Sequence, residues 1–323
     1  MLKKIYFGLI AVITIIAVVL LLGYGLDWGV RRWKLEQKLS DIEIFNGTVA
    51  KKNSQLEQVN YSCNPQTVYS PSTKATKTVY QNCTREVVNY SIELSFGDKI
   101  DYGTLNKGQS APKLWQEIKP GQPASVPKNY KNYIKASETT ILKRKAFLDS
   151  YQYAKLVPEI PKVYDKIKVN QVIQISHSDG YTKYEGEQMD LFNTQLSRLN
   201  GKLGESKQLN TIVILLPDYM NDMIFAVDQK WIGGNKNEVI LFVNLAKDKS
   251  ITRVQSLSWS TQNGEIESKL DNILVYQIKQ LNTDQQILET VDYIQTTLES
   301  TFDRKSMKDY EYLLQEVKSR YGF

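Results

Sequence analysis

The residues best equipped for chemistry are the carboxylates Asp179, Glu185, Asp218 and Asp222, which could converge on Ca²⁺ or Mg²⁺ because both cations take oxygen ligands. We assign candidate metal roles to Asp179, Asp218 and Asp222. Glu185 has a competing explanation, since Thr182-Lys-Tyr-Glu185 carries the spacing of a capping box, and Asp218 could cap the helix that follows it. Ser176, His177 and Asp179 bring together a nucleophile, a base and an acid, but four consecutive residues cannot place them at the three corners of a triad. The stretch reads as a turn around the sole histidine. Gly233-Gly234-Asn235-Lys236-Asn237 lacks the G-x-x-x-x-G-K-[ST] of a phosphate loop and follows a predicted helix instead of opening one, so a helix C-cap is expected there. No catalytic residue is assigned, an enzyme is the less favoured reading, and Ca²⁺ or Mg²⁺ is the only cofactor considered.

The chain has two cysteines, Cys63 and Cys83, at the ends of YSCNPQTVYSPSTKATKTVYQNC. The interior is Pro, Ser, Thr, Asn and Lys, a turn-rich composition between two strand-like pieces. Closing a loop of about twenty residues with a disulfide contributes roughly 3 kcal/mol on the entropic account. Two thiolates without a nearby histidine leave a zinc set incomplete, so a disulfide is expected, and with it a body outside the cytoplasm. Unpaired thiols in a cytoplasmic domain are the alternative. Sequons at Asn46, Asn60, Asn82 and Asn89 matter only in a eukaryotic secretory pathway.

Such groups must be carried by elements, and the first is the uncharged run from Ile5 to Leu26. At about 1.5 Å per residue, its roughly twenty-two residues span about 33 Å, close to the hydrocarbon thickness of a bilayer. Trp28 and Trp33, beside Arg31 and Arg32, have the character of interfacial anchors, so residues 1–34 read as an uncleaved, single-pass transmembrane anchor. A cleaved signal peptide is the rival reading. Basic residues after the span would by themselves place the body in the cytoplasm; the cysteine pair argues for the periplasm or cell surface.

Behind the anchor, 41% hydrophobic and 24% charged residues describe folded protein. A net charge of +6 is mild and spread out, without the basic, aromatic-interleaved groove of a nucleic-acid binder. Residues 40–127 read as a small β-rich domain, with alternation over Val87 to Phe96 and a turn-rich close from Leu114 to Pro127. Residues 128–168 form a helical connector, from Ser137 and Glu138 to Pro158 and Pro161. Residues 169–302 carry the clearest pattern. An amphipathic helix with Met189, Phe192, Leu196 and Leu199 precedes the apolar strand Thr211 to Pro217. A helix through Met220, Met223, Ile224, Val227 and Trp231 leads to the buried strand Glu238 to Asn244. The alternating strand Thr252 to Ser260 and a long helix from Ile287 to Phe302 follow, giving helices packed on a central sheet. Residues 303–323 form a C-terminal amphipathic helix. The fold class is α+β: a transmembrane helix, a β-rich domain and an α/β domain.

From about Val169 to Phe302 the chain resembles the TPM domain family of membrane-anchored or exported α/β modules. The resemblance rests on Asp179-Gly-Tyr-Thr182-x-x-Glu185, the IVILLP strand, Trp231-Ile-Gly-Gly234 and Val239-Ile-Leu-Phe-Val243. It implies a divalent-cation site at the sheet's end, with Asp179 matching the acid before the first helix. It also implies phosphatase activity, as ascribed to some members, or a role as an assembly, repair or receptor-modulating partner. Asn235-Lys-Asn237-Glu238 stands where the family has Asp-Asn-Gly, a departure that argues against the cation site and phosphatase chemistry. The expected function is an extracytoplasmic binding or scaffold protein working through protein contacts at the membrane surface. A divalent-metal phosphatase and a cytoplasm-facing regulator are the alternatives.

Overall fold

The computed structural model describes residues 29–37, 39–72, 75–136, 151, 153–160, 171–175, 184–231 and 234–321. Ile5, Leu26, Trp28 and Asp179 lie outside the described residues, as do His177 and most of the expected connector helix. Among the described residues no helix is long and apolar enough to cross a membrane. Helix α1 (29–37) opens the described chain, with Trp33 exposed.

The fold is α+β with two four-stranded sheets. The first has the order β3-β2-β1-β4. Its organising element is β1 (Ser40–Ser70), 31 residues long, which serves two partners in turn. Ser40 to Thr48 pair antiparallel with β4 (Pro123–Lys131), and from Val49 onward the strand pairs with β2 (Ala75–Leu94). Strand β3 (Lys99–Asn106) flanks the inner half of β2, and β4 carries the sheet past the expected boundary at residue 127. Val49, Ile92, Leu94, Ile100, Ile118 and Ala124 form its core. The stretch after Leu114 closes that core: on the short helix α2 (Lys113–Glu117), the Trp115 indole meets the Tyr90 ring edge-on at 4.9 Å and donates to the Ser91 carbonyl at 3.0 Å. Helix α3 (Tyr133–Ala136) follows β4.

The second sheet contains β5 (Val172–Gln174), β6 (Asn210–Pro217), β7 (Glu238–Leu245) and β8 (Ile251–Ser258) in that order, the first three parallel and β8 antiparallel. Helix α4 (Glu187–Lys207) links β5 to β6, and α5 (Met223–Lys230) links β6 to β7. After β8 come α6 (Asn263–Ile273), α7 (Asp284–Thr301) and the C-terminal α8 (Glu311–Tyr321). Side chains alternate across a strand, so the two faces build separate cores. Val213, Leu215, Leu241 and Val243 face α4, α6 and α7, whereas Ile212, Ile214, Ile240 and Phe242 face α5 and the 153–160 segment. The strands step in one direction while the two crossover helices lie on opposite faces, so the crossovers have opposite hands. One of them is therefore left-handed, a form adopted by only about 2% of such connections.

Local details differ from the expected caps. Helix α4 begins at Glu187 behind Gly186, which takes a φ of +57°, so Glu185 precedes the helix instead of standing at its third position. Asp218 is no cap either: its amide donates to the Leu245 carbonyl at 3.0 Å, extending the β6–β7 ladder, and the N-cap of α5 falls on Asp222 without a side-chain bond. The capping box lies instead at Thr283 and Gln286, at the start of α7. The expected helix over 303–323 breaks into a 3-10 turn (Met307–Tyr310) and α8, where Leu314 packs beside Leu35, Leu39 and Tyr133.

Candidate functional site

Beyond the pair Glu57–Val87, β1 and β2 leave their neighbours and run on as a two-stranded ribbon to the turn after Ser70. At about 3.3 Å per residue this ribbon extends roughly 40 Å. A bare two-stranded hairpin is at best marginally stable in water, so something other than a core must hold it. The disulfide between Cys63 and Cys83 does so, joining Cα atoms 5.9 Å apart on one face of the ribbon. Next to it the ladder slips between Cys63 and Gln66. Asn64 takes a φ of +47°, which Asn tolerates better than most residues, and Pro65 has no amide to leave unpaired. Both faces of the ribbon are open. Tyr61, Val68, Tyr69, Val79 and Tyr80 are exposed, Tyr80 at 57%, and the Arg85 guanidinium lies over the Tyr61 ring at 5.3 Å.

The ribbon is rigidly rooted because the two sheets are locked together at its base. Helix α4 crosses β1 where Gly201 and Gly204 present no side chain; a Cβ on Gly204 would collide with the Asn46 carbonyl. Asn46 is itself buried, donating to the Leu209 carbonyl and to Asn210 Oδ1 at 3.0 Å each and accepting from the Ser125 hydroxyl at 2.6 Å. Asn237 Nδ2 donates to the Ile44 carbonyl at 2.7 Å. The buried Glu43 carboxylate receives Arg304 at 2.9 and 3.0 Å and Lys236 at 3.3 Å. Lys236 also lies over the Tyr130 ring at 4.6 Å; burial pushes its pKa down, against the pull of Glu43. Glu238, fully enclosed, accepts from the Asn235 amide at 2.8 Å, Asn235 Nδ2 at 3.0 Å and Asn210 Nδ2 at 3.3 Å, and burial raises its carboxyl above the ordinary range. Burial likewise raises the Tyr130 phenol, which donates to Asn235 Oδ1 at 2.9 Å. The Asn235-Lys-Asn237-Glu238 segment is thus committed to joining the sheets.

Of the three residues given candidate metal roles, only Asp218 and Asp222 are described, and they do not line one pocket. Asp218 lines an open crevice of about 490 Å³ at the carboxyl ends of β6 and β7, with Tyr219, Asn221, Thr252 and Arg253. Open α/β sheets bind ligands at such ends. Asp222 stays at the N-cap of α5, where its carbonyl accepts from the Phe225 and Ala226 amides, and Asp179 lies outside the described residues. Among the described residues no group of three or more His, Cys, Asp or Glu side chains could hold a metal ion. One carboxylate beside a guanidinium falls well short of the six or more oxygens that Ca²⁺ takes, so the described lining does not fit the cation that the TPM resemblance implies. Sequence reasoning found the cysteines but missed the ribbon's reach and the whole Glu43 cluster, whose members are 261 residues apart in the chain at their widest.

Comparison of the chain with protein-family models, with curated proteins and with solved structures returns no match.

Proposed function

We propose that this chain is a membrane-anchored binding protein whose body lies outside the cytoplasm and acts through protein contacts, with the stapled ribbon as its contact element. The observation that carries this reading is the ribbon itself: a long two-stranded projection, open on both faces, held by a disulfide and rooted on a locked pair of sheets. A protein gains little stability from such a projection. An exposed Tyr- and Val-bearing strand pair is also an aggregation risk unless it is covered in use. The disulfide supports an oxidising compartment, and the apolar run Ile5 to Leu26 with Trp28 and Trp33 supports attachment. The α/β body, with its TPM-like order of elements, then serves as the rigid mount. No cofactor enters this reading.

Two measurements test it. A topology reporter fused after Phe323 should report the outer side of the membrane, and Cys63 and Cys83 should resist maleimide until reduced. Ready labelling of unreduced protein overturns the placement. Crosslinking in the native membrane should join the intact chain to a protein partner, and the adduct should disappear when residues 58–86 are replaced by a short Asn-Gly turn. Recovery of the intact chain alone counts against the binding reading, and robust phosphate-ester hydrolysis abolished by Asp179→Ala would install the metal-dependent phosphatase in its place.

A further inference from the structure

The two edges of the ribbon differ. Between Ala75 and Arg85 the outer edge of β2 has no ladder partner among the described residues, although just inward the same edge is paired with β3. Strand β3 ends opposite Val87, and the Lys107 amide makes the last bond of that lane to the Glu86 carbonyl at 3.0 Å. Beyond it, no described residue occupies the lane for about ten residues of strand at ordinary rise. From Gln58 to Arg85 the sequence has no Asp or Glu, and of its three basic residues, Lys74, Lys77 and Arg85, the last two lie on β2. Gln58 to Ser70 on β1 carries no charge at all.

We propose that the outer edge of β2, from Ala75 to Arg85, accepts an extended acidic segment of a partner protein as an added strand in the lane that β3 vacates. This deepens the protein-contact reading and rests on it. Strand addition supplies main-chain hydrogen bonds for affinity and side-chain alternation for specificity. Lys77 and Arg85 share one face by the period of two, so acids on one face of the incoming strand meet both. Tyr80 presents its ring on the other face for an apolar residue. The occupant follows from charge and shape. A second copy of this edge brings Lys77 and Arg85 against their own kind, and edge lysines discourage such self-pairing. A bilayer is disfavoured because the apolar side chains are divided between both faces, Val68 and Val79 on one and Tyr69 and Tyr80 on the other, leaving no single face to insert. The disulfide keeps the edge extended beforehand, which lowers the ordering cost of docking.

The test uses the full-length chain in its native membrane, with a photo-crosslinking phenylalanine at Thr78 on the β2 edge and, separately, at Thr67 on β1, and the adducts mapped by mass spectrometry. We expect the Thr78 probe to capture a protein segment of net negative charge, the Thr67 probe to yield at least fivefold less, and the double variant Lys77→Glu, Arg85→Glu to cut the Thr78 adduct at least tenfold with the disulfide still formed. Lys77→Arg should leave the yield unchanged. Capture of a second copy, of lipid, or of a basic or uncharged segment overturns the proposal, as does equal capture from Thr67. If neither probe captures protein while replacing residues 58–86 still abolishes another protein contact, edge pairing fails and the wider binding reading survives; if every protein contact is absent, both fall.

Discussion

Strand β7 and the outer part of β2 are neighbours in kind and opposites in circumstance. Every residue of β7 from Glu238 to Leu245 is buried, and its Val, Ile, Leu and Phe side chains enter two cores at once. From Ala75 to Asn82 every residue of β2 is exposed, and the strand is rich in Thr, Lys, Tyr and Gln. The first is held by removal of apolar surface from water on both faces, the second by a covalent clip and one partner strand. A chain can therefore keep a long projection in order without a core, provided that the unfolded alternatives are restricted and the base is rigid. Burial makes β7 a place where substitution damages the fold, and exposure makes outer β2 a place where substitution is free to serve contact.

The largest effect that would break this comparison is expected in the core. Phe242→Ala should cost about 4 kcal/mol in urea unfolding, because a large ring leaves a cavity between β7 and α5. Val79→Ala, at 47% exposure on the ribbon, should stay within about 0.5 kcal/mol. Equal costs would mean that the ribbon carries a hidden share of global stability. Next comes the clip. Replacing Cys63 and Cys83 with Ser should remove about 3 kcal/mol of loop-closure stabilisation, and it should act locally. Hydrogen exchange should quicken in 58–70 and 75–86 while the amides of β6 and β7 stay protected, and loss of protection in β7 would show the two regions to be coupled.

How much of this was legible beforehand depends on the range of the interactions. Leu196, Leu199, Ile212, Ile214, Ile240 and Phe242 announced their elements through local periodicity, since helix and strand spacing is written in consecutive residues. The cysteine pair predicted its own closure for the same reason. Asp218 and Thr182-Lys-Tyr-Glu185 misled, because many residues that could cap do not. The ladder bond from the Asp218 amide to Leu245 and the turn at Gly186 decided where α5 and α4 begin. The Glu43–Arg304–Lys236 cluster left no local trace, as each residue alone looks like an ordinary surface charge.

The smallest expected effect belongs to that buried seam and has no counterpart on the ribbon, where Gln58 to Arg85 includes no carboxylate side chain. Burial raises the Glu238 pKa, so between the ordinary carboxylate range and the raised value the folded state binds more protons than the unfolded state. Stability should decline as pH rises through that window and stay lower above it. In Glu238→Gln this contribution to the slope should vanish, measured as the difference between urea midpoints of the two proteins across pH. An unchanged difference would show that burial of Glu238 does not control the titration.

By itself the sequence determined an apolar run of bilayer length, a clipped polar loop between two strands, and an α/β half with apolar strands and amphipathic helices. Those properties depend on residues close together in the chain, where spacing alone decides which side chains share a face. Only the tertiary structure decided that β1 serves both β4 and β2, that α4 lies on β1 over Gly201 and Gly204, and that Glu43 meets Arg304. It also decided that one edge of β2, beside basic side chains, has no ladder partner among the described residues, because pairing between distant strands is set by how two sheets pack and not by the local pattern of either.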